Sequence, residues 1–427
     1  MIDVMKHSWA LLLGMLLLMV GNGLQGSLLG VRGAEAGFSA GTMSVVMSAY
    51  FAGFLVASRV VPGMIRRVGH VRVFAALGSF ISAALILFPA LQDPFAWTAG
   101  RVVLGFCFCG VYVTAESWLN NATTNETRGQ TLSAYMIVQM IGIIVSQALL
   151  IIPDVSGFLL FVIPSVLVSI SFAPILLSIS PTPAFDSTKP MTLKELYDVS
   201  PLGMVGMFLM GGVFAAQFGM AAVYGTQAGL TLGQISIFVA SFYVGALVMQ
   251  YPLGWLSDRM DRRKLIMLVA AVGGTAAVAA ILSGGFFWAV VGAALVIGGC
   301  ANPLYSLLIA YTTDFLEPDD MASASAGLLF INGVGAIAGP LIIGYAMEMV
   351  GPAGFFMLIA VLLGLVTLYA LYRMTRRASV PVDETGTYAP LSPSATPVFM
   401  EAAQEYAIDA AEEAEAEDAE AERVANG

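Results

Sequence analysis

Gly254-Trp255-Leu256-Ser257-Asp258-Arg259-Met260-Asp261-Arg262-Arg263-Lys264 is a polar island between two apolar runs, 233–256 and 265–284. Six of its eleven residues are charged, and the flanks contain no Asp, Glu, Lys or Arg. A helix rises 1.5 Å per residue, so each flank is long enough to cross a hydrocarbon core of roughly 30 Å. The stretch reads as the turn of a transmembrane hairpin.

The same alternation runs through the chain. Apolar spans fall near 9–30, 40–61, 73–92, 95–116, 130–152, 157–179, 202–224, 233–256, 265–284, 286–310, 323–346 and 352–373. Lipid offers no partner to free backbone groups, so each span is expected to be a helix. Of the 427 residues, 58% are apolar and 11% charged, and the mean hydropathy is +0.86. Average soluble domains carry about 25% charged residues. The composition excludes a soluble enzyme, a disulfide scaffold and a nucleic-acid binder. The expected class is an all-α membrane protein of twelve transmembrane helices.

Charge sets the expected orientation. Sixteen of the eighteen Lys and Arg residues fall on the side that holds the N-terminus, and only Arg32 and Arg101 fall elsewhere. Positive residues concentrate on the cytoplasmic side, so both termini are expected there, in a cell inner membrane. The formal charge of −10 belongs to the end of the chain. Residues 378–427 hold twelve acids and one base, and are expected to be a disordered acidic cytoplasmic tail. Cys107, Cys109 and Cys300 sit in apolar runs with no metal-ligand spacing.

Residues 180–200 break the apolar pattern with prolines and mixed charge. They are read as a cytoplasmic linker between an N-terminal bundle (1–179) and a C-terminal bundle (201–377), six helices each. The halves resemble one another at an offset of 192–193 residues. Gln25 falls on Gln217, Ser48 on Ser241, Tyr50 on Tyr243, Gly105 on Gly298, Tyr112 on Tyr305, Gln139 on Asn332 and Gly142 on Gly335. Ordered matches at nearly constant offset indicate duplication. Two like bundles place a site between them near mid-depth.

Gly254, Leu256, Asp258, Arg259, Arg262 and Arg263 match the loop signature of the major facilitator superfamily, which this chain resembles over about 8–375. The signature prefers Gly where Asp261 stands. The resemblance implies two pseudo-symmetric six-helix bundles and transport. It also implies a gating role for Asp258, expected to pair with Arg259 and Arg262; simple positive anchoring of the loop is the alternative. In the equivalent loop of the first half Arg66 replaces the aspartate, so Arg66, Arg67 or Arg72 is expected to pair with Glu116, with a solvated helix-end carboxylate as the alternative. Glu116-Ser117, the Arg128–Met136 stretch and Gly254–Arg259 resemble the YcaD-type bacterial subgroup. That subgroup implies no cargo, although some carriers of this general look are linked to riboflavin uptake.

Arg101, with Gly105 and Gly110 beyond it, resembles the arginine-and-glycine motif of span 4 in the superfamily. It is read as a substrate or coupling residue, with snorkelling to the interface as the alternative. Gly339-Pro340 occupies span 11, and Ser146-Gln147 stands at the counterpart in span 5, where drug antiporters of the superfamily carry Gly-Pro. Asn22, Gln25, Arg101, Gln139, Gln217, Tyr243, Asn302, Tyr305 and Asn332 lie deep in spans and form the candidate substrate-binding set. Arg66, Arg67, Glu116, Gly254, Asp258, Arg259, Arg262 and Arg263 form the candidate gating set. The expected function is a monomeric secondary transporter of a small organic solute, working by alternating access and coupled to protons. It needs no cofactor, binds no nucleic acid and is not an enzyme. A multidrug exporter of the same fold, and a non-transporting sensor with a partner-binding tail, are the alternatives.

Overall fold

The computed structural model describes residues 2–121, 125–151, 157–177, 191–376, 380–381, 385–386, 388–393, 395–396, 398–400 and 402–404. The N-terminal half contains α1 (Ile2–Glu35), α2 (Ala40–Val68), α3 (His70–Ala90), α4 (Pro94–Asn121), α5 (Asn125–Leu149) and α6 (Leu159–Leu177). A short helix, α7 (Leu193–Val199), precedes the second half. There follow α8 (Pro201–Ala215), a π turn (Ala216–Met220) and α9 (Ala221–Gln227), which together form the seventh span. Then come α10 (Leu232–Ser257), α11 (Arg262–Leu282), α12 (Phe287–Thr313), α13 (Pro318–Val350) and α14 (Ala353–Met374). Among the described residues eleven spans are long and apolar enough to cross a membrane, and α6 adds a shorter apolar helix, Leu159–Ala173.

The apolar runs set the helices, and local chemistry ends them. Ser39 caps α2, accepting from the Thr42 N–H at 3.1 Å. Thr231 and Gln234 form a capping box at α10, as Thr192 and Glu195 do at α7. Gly69 (φ 86°) and Gly351 (φ 74°) take the left-handed backbone that turns α2 into α3 and α13 into α14.

Several helices run past the apolar limits read from sequence. The first span continues to Glu35, so Arg32 lies in its last turn and pairs with Glu35 at 2.7 Å. The second continues to Val68, which puts Arg66 and Arg67 in the last helical turn rather than in a loop. Hydrogen bonding, unlike hydropathy, does not stop at the membrane edge.

The two halves pack alike. In the first, α2 packs on α4, α1 on α5 and α6, and α3 on α4 and α6. In the second, α10 packs on α12, α8 on α13 and α14, and α11 on α12 and α14. Shifted glycines make the match atomic. A Cβ at Gly53 or Gly105 would strike the carbonyls of Val102 or Tyr50. At the same offset, Gly245 and Gly298 face those of Leu295 and Phe242. Gly142 against Leu16 is repeated by Gly335 against Phe208. Small residues bring helix backbones together where lipid supplies no hydrophobic drive.

The halves meet through α2 with α13, α1 with α9, and α5 with α10. The polar part of this seam lies on the side remote from the termini. There the Glu348 carboxylate accepts from the Ser39 hydroxyl (2.8 Å) and the Gly41 N–H (2.9 Å), so the C-terminal half caps the start of α2. Ser236 donates to the Gln147 carbonyl at 2.6 Å, and Ser48 to that of Ile337 at 2.6 Å. On the terminus side the bundles part around a vestibule of about 470 Å³ bordered by α5 and α10.

Residues 180–190 of the expected linker and 405–427 of the expected tail lie outside the described residues. The reading of a detached tail from 378 onward is corrected for the described residues among 388–404. There Tyr388, Leu391, Thr396, Phe399, Met400, Ala402 and Ala403 are buried against the bundles, with Tyr388 at the edge of the vestibule. These side chains are apolar or small, and the opening between the bundles offers them cover from water.

Candidate functional site

All nine candidate binding residues converge. Asn22, Gln139, Tyr243, Asn302 and Asn332 line one enclosed space between the bundles, together with Tyr50, Phe51, Phe54, Phe214 and Phe218. Gln217 and Tyr305 border an adjoining cleft that shares Phe214 and Asn302 with it. Gln25 and Arg101 stand behind the wall. The residues come from α1, α2, α4 and α5 on one side and from the seventh span, α10, α12 and α13 on the other. The duplication therefore supplies amides to both faces of the cavity.

A chain of hydrogen bonds ties Arg101 to this space. Its guanidinium donates to Gln25 Oε1 at 2.5 Å, and Gln25 Nε2 donates to Asn22 Oδ1 at 3.0 Å. Tyr50 donates to the same Asn22 oxygen at 3.3 Å, and Asn22 Nδ2 to Tyr112 Oη at 2.6 Å. The Arg101 Cζ lies 4.7 Å from the centre of the Tyr50 ring. Arg101 is fully buried, so the snorkelling alternative is overturned. Trp97, one turn outward, is also buried, its indole bound to the Phe88 carbonyl at 3.0 Å. Arg101 makes no ion pair among the described residues, and its Nε has no partner. Gln217 Nε2 and Tyr305 Oη are also buried without partners. Buried polar groups are normally satisfied. Three such exceptions, on Arg101, Gln217 and Tyr305, gather around this cavity.

The aromatic wall was absent from the sequence-derived set. Tyr50 and Phe218 pack at 5.4 Å, and Phe214 and Phe218 are stacked at 5.9 Å. Phe218 sits in the π turn of the seventh span, next to Gln217. A π turn inserts a residue into helical register and is frequent at functional sites.

The gating set is arranged differently from expectation. Arg262 is buried and pairs with Asp314, the C-cap of α12, which sequence reading did not single out. Asp258 is farther from Arg262, at 3.7 Å, and accepts the Tyr388 N–H at 2.9 Å. Arg259 turns away, donating to the Trp255 carbonyl at 3.1 Å with its Cζ 4.4 Å from that indole. Burial holds the Asp258 and Asp314 carboxyls above their usual range, although Arg262 pulls both down. Glu116 does not pair with Arg66, Arg67 or Arg72, and being buried it is not a solvated carboxylate either. Its carboxylate accepts from the Tyr135 hydroxyl at 2.9 Å and from the Thr396 hydroxyl and N–H. Arg66 and Arg67 are exposed at the end of α2, whereas Glu116 is buried.

Asp261 caps α11 through the Arg263 N–H (2.9 Å) and holds the Arg263 guanidinium at 3.0 Å. Partial burial pushes its carboxyl up, but the bonds from Arg263 bring it below the usual range. A depressed folded pKa gives stability that is complete above the unfolded value and is lost as pH falls through the folded one. Asp261→Ala is expected to lose about 0.5–2 kcal/mol near neutral pH, as for other N-caps. The deficit should narrow below about pH 4. Melting curves of both proteins in detergent across this range test it; a constant deficit would contradict the charge-linked part.

A helical membrane protein with two like bundles around a central polar cavity is built as a carrier. The profile of the Major Facilitator Superfamily matches residues 11–238 and again 202–405, and the chain belongs to that superfamily. An uncharacterised YcaD transporter of Escherichia fergusonii is 26% identical over 377 residues, covering 87% of this chain and 97% of the relative. Its counterpart in Escherichia coli O6:K15:H31 is 28% identical over 356 residues, covering 82% and 91%. Solved structures share the fold. The nucleoside transporter NupG superposes with a TM-score of 0.67 at 16% identity, over 88% of this chain and 99% of that one. A bacterial homologue of the human lysosomal transporter Spinster, in an inward-facing unoccupied conformation, gives 0.65 at 12% identity, over 95% and 98%.

Proposed function

We propose that this protein is a secondary active transporter, not an enzyme, that moves a small organic solute across the inner membrane by alternating access. Both termini then face the cytoplasm. The observation that carries the reading is the cavity between the bundles, sealed on one side and bordered by a vestibule on the other. Rocking of the bundles would exchange the two sides. The amides of Asn22, Gln139, Asn302 and Asn332 and the rings of Tyr50, Phe214, Phe218 and Tyr243 suit a flat ring system with polar edges. Amides bond the edge and aromatic rings stack on the face. Arg101 favours a solute that also carries an anionic or strongly accepting group.

Protons are the coupling ion in this reading. Glu116, the only buried acid in the described spans, is the candidate carrier. Uptake into proteoliposomes is expected to accelerate with an inward proton gradient, and Glu116→Gln to lose that response. Equal wild-type rates with and without the gradient would remove proton coupling and leave a facilitator. Thermal-shift screening of the purified protein against metabolites, vitamins and dyes supplies the solute. Concentrative or saturable uptake of a hit tests transport itself.

A further inference from the structure

The chain's own C-terminal segment forms one wall of the vestibule, through Tyr388, Ala389 and Pro390, and is held by groups from both bundles. On the C-terminal half, Asp258 accepts the Tyr388 N–H at 2.9 Å and Asp314 the Gly386 N–H at 3.2 Å. Arg262 donates to the Gly386 carbonyl. Gln250 donates to the Tyr388 hydroxyl at 3.0 Å. Ser306 holds both the N–H (2.9 Å) and the carbonyl (3.1 Å) of Leu391, a pairing that reads backbone rather than side chain. Gln404 donates to Ser325 at 3.1 Å. On the N-terminal half, Glu116 receives both donors of Thr396, and Tyr135 packs on Phe399 with centroids 5.3 Å apart.

Three further observations mark this as a fitted seat. Gly254 leaves room for the Tyr388 ring; a Cβ there would come within 2.7 Å of it. Ser392 and Pro393 reach the wall of the central cavity. Residues 385–404 contain one charged residue, Glu401, whereas 405–427 contain nine acids and Arg423. The composition of the docked stretch thus differs from that of the acidic remainder, and its low charge permits burial.

We propose that residues 385–404 are a tethered plug. The vestibule is a docking groove for this segment, and solute reaches the cavity from the terminus side only when the segment leaves. Because it bonds to both bundles, the plug also holds them at one separation and must release before they rock. The gating meaning rests on the carrier reading; the docking does not. Ten residues separate Met374, the end of α14, from Thr385. A short tether gives an effective concentration of order 1 mM, so a segment binding as a free peptide with a Kd of about 100 µM would be docked about ten times more often than not. Modest changes in this contact would then open or shut the carrier.

The test uses two readouts that need no solute. A fluorescein-labelled synthetic peptide of residues 385–404 is titrated onto protein truncated after residue 384. Saturable binding in the micromolar range is expected, at least about tenfold weaker for a peptide carrying T396A and F399A, and weaker on the full chain, whose groove is filled. In parallel, S306C is labelled with N-ethylmaleimide in the full chain, in the chain truncated after 404 and in the chain truncated after 384, against the native cysteines as background. Labelling should be slow in the first two and at least about tenfold faster in the third. Full-length S306C with T396A and F399A should fall between, which covers the case of a truncated chain that does not fold. Equal labelling across the set, or no saturable peptide binding, overturns the plug. If docking holds and uptake is the same with and without the segment, its gating role is overturned. Absence of uptake from every form would instead count against the carrier reading.

Discussion

Arg101→Met is expected to leave the melting temperature of the purified protein nearly unchanged and to weaken its response to solute. The guanidinium is fully buried, makes no ion pair among the described residues and leaves its Nε unpartnered. An arginine at the centre of a span costs about 2.5 kcal/mol on insertion scales, and Arg101, in the first third of α4, costs less. Against this stand a hydrogen bond to Gln25, a weak one to Met47 Sδ at 3.5 Å and the face of Tyr50. Removing the charge strands Gln25 Oε1, a loss of roughly 1–3 kcal/mol unless the amide turns. These terms roughly cancel, so stability should change little. Binding is affected more. A hydrogen bond from a charged donor contributes about 1.5–3 kcal/mol, so affinity for the screened solute should fall roughly ten- to a hundredfold. Arg101→Lys keeps the charge but not the planar fork, and should recover little. Detergent melting curves with and without solute measure both effects. A variant that melts several degrees lower, or one that shifts at the same solute concentrations as the wild type, contradicts the assignment.

A different result is expected at Arg262. Its partner Asp314 is buried with it, and the same guanidinium holds Ser257 at 3.1 Å and the carbonyls of Ala310 and Gly386. Arg262→Ala leaves a desolvated carboxylate and several unpaired acceptors. Breaking a buried pair from one side costs about 3–5 kcal/mol. Its melting temperature should fall by several degrees near neutral pH. Part of the loss should return on acidification, because burial has already raised the Asp314 carboxyl and protonation removes its stranded charge. Asp314→Asn in the same background should restore stability in the same way. A silent Arg262→Ala would reduce the motif to surface anchoring.

The fold was largely legible because its physics is periodic. Uncharged runs of about 20 residues announce spans, and a constant offset announces duplication. The shared offset of Gly105 with Gly298 and of Gly142 with Gly335 reappears as matching close approaches of backbone to backbone. The polar cavity residues were legible for a related reason, since amides deep in an apolar run must turn toward one another or toward a ligand. The aromatic wall was not. A phenylalanine facing lipid and one facing a cavity look alike in sequence, and Phe95 at 85% exposed and Phe108 at 0% belong to the same helix. Asp314 was hidden because it stands 52 residues from its partner, among the other acids of the loop after α12. The docked segment was hidden because proline, serine and threonine read as solvated chain. Only the opening between the bundles explains why its few apolar residues are covered.

The seal made by Glu348 bears on how fast such a machine can cycle. A carboxylate at an exposed helix start contributes at most about 1 kcal/mol, which biases a two-state equilibrium about fivefold. No buried ion pair bolts that face among the described residues. If the bundles rock as proposed, this contact alone leaves the opposing shapes close in energy on that face. Neither shape then becomes a trap, and the small increments of free energy that come with solute or proton are enough to tip the balance.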